Sequence, residues 1–193
     1  LMEQMIERSD NDSTDALAKA VIDPTFAPME VTEDMKALGI ENTYWAGFFT
    51  PGSPMLQDYK TPANQRTDFS TEPDRYAQTT PQDLGLLLED IYYCAKDYGG
   101  SFPLAFNGEI TQEECQLMVD YLALNKIGVL IQAGVPADVT VAHKHGWAYE
   151  VDDGYIHTIA DAGIVYTPGG DYVLSIFAYH PVQAVFEPVN QLF

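Results

Sequence analysis

The last third of the chain leaves little choice of fold. From Asp138 it runs VTVAHKHGWAYEV, then HTIADAGIVYT, then DYVLSIFAYHPV, three stretches rich in β-branched and aromatic residues and without helical period. PGGD between the last two is a hairpin turn signal. Strands joined so closely predict an antiparallel three-strand meander. The final strand is long and hydrophobic, and an uncovered edge of that kind is a liability. Strands from upstream of Leu1 are expected to cover it.

The earlier part of the chain has helical texture. DSTDALAKAV places Ala16, Leu17 and Ala20 on one stripe and predicts a helix from about Asp12 to Val21. Thr32, followed by Glu33 and Asp34, predicts the N-cap of a second helix that ends at Gly39. Residues 40 to about 77 lack helical period and carry Pro51, Pro54, Pro62 and Pro73, which predicts a long ordered loop. In TTPQDLGLLLEDIYYCAKDYGG, Thr80 is a good N-cap, Pro81 fits the first helical position, Asp83 suits the helix dipole and Gly99-Gly100 end the helix. Thr111 and Glu114 have capping-box spacing and open a further helix that reaches about Leu124.

The fold class expected is therefore α/β with segregated elements (α+β): a helical part over about 1–135 and antiparallel strands over about 136–193. Both belong to one incomplete domain spanning 1–193. The opening LMEQMIERSDN already looks like the last turns of a helix, so the sequence reads as a piece of a longer protein.

Charge narrows the partners. Twenty-nine acidic residues against nine basic ones give −20, which argues against nucleic acid and anionic membrane surfaces. No apolar run approaches the roughly 18 residues of a membrane span. Cys94 and Cys115 lie on consecutive helical patterns, and antiparallel packing would bring them together, either as buried thiols or as a disulfide in an exported protein. His143 and His145 share a strand face, the spacing of an HxH metal pair, but no third ligand follows at matching spacing, so no metal is expected. His157 and His180 read as surface or core residues. Trp45, Phe48 and Phe49 read as packing, with an active-site rim or a carbohydrate platform as the alternative.

Two short motifs carry the chemistry. Ser9-Asp10-Asn11 follows a helix-like run, and Lys144-His145-Gly146 lies on a strand 135 residues later. Together they resemble two of the three signatures of the penicilloyl-serine transferases, the class A β-lactamases and penicillin-binding proteins: S-x-x-K, S-D-N and K-T/S-G. DAGIVYTPGGDYVL is similar to that family's next two strands, and TTPQDLGLLLEDIY is similar to its helix after the omega loop. Ser9-Asp10-Asn11 taken alone would also suit an ordinary helix-start turn.

The resemblance implies roles. Ser9 would pass a proton to the leaving nitrogen, Asn11 would hold the acyl side-chain amide and a lysine, and Asp10 would be structural. Lys144 would supply positive charge to the substrate carboxylate and to Ser9. His145 would donate to that carboxylate, Gly146 would admit the substrate against the strand edge, and the backbone N–H of Trp147 would be one donor of the oxyanion hole. A disulfide between Cys94 and Cys115 would fit the exported setting. No cofactor is implied.

The chain departs from the family in three places. His145 stands where a hydroxyl residue is usual, which would make binding pH-sensitive. In TEPDRYAQTTP, Thr71, Asp74 and Arg75 align with the start of the omega loop, but Ala77 stands where the water-activating glutamate would be, and Glu72 has no ground for that role. A serine acylated here would deacylate slowly. Finally, no serine of the chain is followed three residues later by lysine. The nucleophile would lie upstream of Leu1, and these residues alone would be inactive. The expected activity is acyl-serine hydrolysis of β-lactams or D-Ala-type peptidoglycan peptides by an exported enzyme. The alternative is a non-catalytic module of the same fold that binds cell-wall peptide or glycan.

Overall fold

The computed structural model describes residues 1–68, 74–124, 127–150 and 152–193. They divide into two compact units, Leu1–Asp83 and Leu84–Phe193.

The first unit opens with helix α1 (Met2–Arg8) and helix α2 (Asn11–Val21). Between them Ser9 takes a left-handed conformation (φ 54°) and the Asp10 N–H donates to the Gln4 carbonyl, so α1 closes and α2 starts within two residues. Helix α3 (Ala27–Ala37) begins five residues before the expected cap at Thr32. Asp23 Oδ1 accepts from the N–H groups of Thr25 and Phe26, and Pro28 sits in the first turn, so the entry is made upstream. The Thr32 hydroxyl has another use. Fully buried, it accepts from Trp45 N–H at 2.9 Å and lies 3.0 Å from the Trp45 carbonyl.

The proline-containing stretch is closed at its base by two short strands, β1 (Tyr44–Trp45) and β2 (Ala77–Gln78), with Tyr44 opposite Gln78 and Trp45 opposite Ala77. Ala18, Ala27, Trp45 and Phe48 form the buried cluster beneath α2, with Val31, Phe49 and Ala77 packed on it. Trp45 stacks on Phe49 at 5.3 Å and meets Phe48 edge-on at 5.6 Å, so these aromatics are core.

Helix α4 (Pro81–Asp97) starts where Thr80 predicts: its hydroxyl accepts from Asp83 N–H at 3.1 Å. Asp83 is almost fully buried, and its carboxylate takes Asn42 N–H at 2.8 Å and the Thr43 hydroxyl at 2.9 Å.

The second unit holds the rest of α4, then α5 (Phe102–Ala105), α6 (Gln112–Ala123), α7 (Ile131–Gly134), β3 (Thr140–Tyr149), β4 (Ile156–Tyr166), β5 (Tyr172–Tyr179) and α8 (Phe186–Asn190). The Thr111/Glu114 capping box is complete at the start of α6. Cys94 on α4 and Cys115 on α6 are joined in a disulfide, both fully buried. The sheet is the antiparallel meander β3-β4-β5. Register pairs Val141 with Val165, His143 with Gly163, His145 with Asp161 and Trp147 with Ile159, so these eight share one face. Leu130, Ile131, Phe186 and Phe193 pack against that face. Lys144, Gly146, Ala160 and Ala162 belong to the other face. No helix among the described residues is long and apolar enough to cross a membrane.

Candidate active site

In the first unit the Ser9-Asp10-Asn11 motif forms the entry to α2. Asp10 is its cap: Oδ2 accepts Ser13 N–H at 2.8 Å, and Thr14 donates its hydroxyl to the Asp10 carbonyl. These Ser13 hydrogen bonds hold the Asp10 carboxyl below its ordinary pKa. Ser9 and Asn11 flank the cap and are both exposed. One turn further on, Asp15 is 2% exposed and anchors the helix from below. Its oxygens accept Phe49 N–H at 3.0 Å, Thr50 N–H at 2.8 Å and the Thr50 hydroxyl at 2.7 Å. The motif thus sits on a short helix whose start is capped and whose underside is fixed to the backbone of Phe49 and Thr50.

In the second unit the Lys144-His145-Gly146 motif lies in the middle of β3. Alternation divides it between the two faces. Lys144 is half-buried, and its ammonium donates to the His145 carbonyl at 3.0 Å. Desolvation pushes its pKa below the usual lysine range, opposed by the charge of Asp161. His145 points to the opposite face and is 6% exposed, its ring stacked on Trp147 at 4.9 Å. Burial, and then the nearby Lys144 charge, push its pKa down. Its Nε2 has no hydrogen-bond partner among the described residues. The Trp147 indole is packed edge-on against Phe186.

Gly146 differs from every neighbour in the ladder. A Cβ built there would meet nothing within 4 Å. Its φ is not positive either, so neither packing nor backbone conformation requires a glycine. Gly163 is the opposite case: a Cβ there would lie 2.5 Å from the Cβ of His143. Beside it, His143 and Asp161 form a buried pair with Nδ1 2.8 and 2.9 Å from the two carboxylate oxygens. Asp161 also accepts the N–H of Ile131 at the start of α7.

A family model described as the Beta-lactamase enzyme family matches residues 1–191. The chain belongs to that family. Solved structures agree in fold. A representative class A β-lactamase from Bacteroides cellulosilyticus superposes with a TM-score of 0.68 at 21% identity, over 97% of this chain and 57% of that one. A β-lactamase from Chitinophaga pinensis gives 0.64 at 18%, over 99% and 62%. A reconstructed ancestral class A enzyme gives 0.63 at 22%, over 98% and 59%. This chain therefore spans little more than half the length of the β-lactamases it matches. No curated protein matches it in sequence.

Within this β-lactamase-family frame, Thr71 and Glu72 lie outside the described residues. Ala77 is in β2 opposite Trp45, and Asp74 Oδ1 accepts the N–H groups of Tyr76 and Ala77. Arg75 pairs with Asp58 at the surface. Sequence reasoning passed over three residues that shape the two motifs: Asp15, Asp161 and Gly163. Asp161 carried a readable signal, because an acid in the middle of the apolar run HTIADAGIVYT must find a buried partner. The remaining convergence of potential metal ligands among the described residues is Glu150, Asp153 and His157. There His157 Nε2 and Asp153 Oδ2 lie 2.8 Å apart in a hydrogen bond, and we assign no metal ligand.

Proposed function

We propose that the β-lactamase-family protein to which these residues belong is a serine hydrolase that opens β-lactams or D-Ala-type peptide amides through an acyl-serine. The nucleophile and its lysine would be supplied by a segment of the same protein outside these 193 residues. Attack forms the serine ester as the carbon–nitrogen bond breaks, and Ser9 relays a proton to the departing nitrogen. Asn11 holds the amide of the acyl group. Lys144 attracts the substrate carboxylate, and the N–H of Trp147 donates to the developing oxyanion. The carboxylate contact expected of His145 has no part in this, because its ring is buried on the opposite face of the sheet from Lys144.

The observation that carries this reading is Gly146. A strand-interior glycine weakens a strand, by roughly 0.5–1 kcal/mol relative to alanine, and here nothing among the described residues asks for one. A close approach from outside, beside a desolvated lysine and ahead of a backbone N–H, accounts for it.

Turnover is slow in this reading, because Ala77 stands where the resemblance places the water-activating glutamate. The protein acts outside the cytoplasm, where the Cys94–Cys115 disulfide persists.

Intact-mass spectrometry of the full-length protein after minutes with a penicillin tests the proposal, with the 193-residue chain as control. A persistent single-acyl increase on the full-length protein alone is expected. No adduct and no opened penicillin in the same tube would replace the enzyme with a binding module of the same fold. Lys144→Ala in the full-length protein should slow acylation by about a hundredfold or more, as loss of a transition-state electrostatic group does.

A further inference from the structure

His157 lies outside both motifs. It is on β4, 6% exposed, close to where the β3–β4 hairpin turns. Both its ring nitrogens face acceptors. Nδ1 is 2.9 Å from the backbone carbonyl of His180, just past the end of β5. A carbonyl has no proton to give, so Nδ1 carries one. Nε2 is 2.8 Å from Asp153 Oδ2 at the hairpin tip, and Glu150 lies 3.8 Å away on the same side.

Asp153 cannot be the donor in that contact. Its other oxygen accepts Tyr155 N–H at 2.9 Å, and that bond, followed by the one from His157, holds its carboxyl below the ordinary range. Both contacts are satisfied as hydrogen bonds only when Nε2 carries a proton as well, that is, by the imidazolium. Two further groups lie near it. The His180 ring accepts at Nδ1 from the N–H groups of Val182 and Gln183, and the Tyr179 ring stands 6.5 Å off.

We propose that His157 is a proton-operated clasp: as the imidazolium it ties the tip of the β3–β4 hairpin to the exit of β5, and on losing its proton it releases one of the two. A neutral imidazole has a single N–H and cannot donate to both. The partners arranged around it, Asp153 first, raise its pKa above the ordinary histidine value. Raised in the folded state, it contributes stability that is fully present below about pH 6.5 and lost as pH rises through the folded pKa. Asp153 at the tip is thus bound more firmly in mildly acidic than in alkaline solution.

Histidine-ring 1H–15N correlation spectra of the labelled chain between pH 5 and 9, with chelator present, test this directly. Both His157 nitrogens should be protonated at the acidic end of that range, with an apparent pKa above the ordinary value of about 6.5. Protection of the Tyr155 and His180 amides against hydrogen exchange should fall about tenfold as that pKa is passed. Asp153→Asn, at an exposed position, should lower the His157 pKa. A His157 pKa at or below the ordinary value of about 6.5 in the unaltered chain would overturn the clasp, and so would one that Asp153→Asn leaves unmoved.

Discussion

Gly163 and His143 face each other across the β3–β4 ladder with no room for a second Cβ between them: one placed on Gly163 would stand 2.5 Å from that of His143 and 3.1 Å from the Ala142 carbonyl. Both obstacles are at the backbone, so the ladder itself must shift to admit a methyl group. Gly163→Ala should destabilise the sheet by about 1–3 kcal/mol, as overpacking does. Urea unfolding followed by the fluorescence of Trp147 would measure it. An unchanged midpoint would mean that the strands part more easily than this packing allows.

Asp161 holds the same region from the charged side. Asp161→Ala would remove the buried acceptor of His143 Nδ1 and of the Ile131 N–H, at about 3 kcal/mol or more. Asp161→Asn keeps one acceptor oxygen and should lose less. Equal losses for the two variants, read from the same unfolding curves, would show that the pair contributes no specific hydrogen bonding.

Asp15 is the matching support in the first unit. Asp15→Ala removes three hydrogen bonds to a buried carboxylate and should weaken the α2 anchorage by about 2–3 kcal/mol. Hydrogen exchange at Phe49 and Thr50 is the readout. Their amides should lose protection first, ahead of those in the sheet.

Two helix starts should show acid dependence. Asp10 is held below its ordinary pKa by Ser13, and Glu114 by the N–H and hydroxyl of Thr111. For carboxyls lowered in this way, the stabilisation is present above the ordinary value of about 4 and lost as pH falls through the folded one. Thr111→Ala should accordingly weaken α6 at pH 7, and the gap to the unaltered chain should narrow below about pH 4. Circular dichroism melts at the two pH values would reveal a gap that stays constant if this reading is mistaken.

Reduction of Cys94–Cys115 releases a crosslink between residues 21 apart. Loop-closure entropy assigns about 3 kcal/mol to a ring of that size. Thermal unfolding of the second unit with and without reductant should differ accordingly. Coincident melts would mean that the α4–α6 contact holds without it.

Much of this architecture was legible in the sequence because the signals were local. Thr80-Pro81, the Thr111/Glu114 box and the PGGD turn each involve only a few neighbouring residues. Thr32 misled for the reverse reason: its hydroxyl serves Trp45, thirteen residues on, and no local rule records that. Helices α5 and α8 span four and five residues, too few to show a period. At the candidate site the motif residues were visible by type. Their facing was less so, because it depends on sheet register: His145 adjoins Lys144 in sequence yet lies on the other side of the sheet.

The pairing of Tyr44–Trp45 with Ala77–Gln78 brings together chain positions more than thirty residues apart, using only two residues from each side. A segment gathered at its neck in this way can change length with little effect on what lies below the neck, since each doubling adds only about 0.6 kcal/mol of closure cost. Relatives of this chain can therefore regrow the part beyond Thr50 into new shapes, and with them new selectivities, while Phe48 and the Phe49 and Thr50 amides held by Asp15 keep the helices beneath in place.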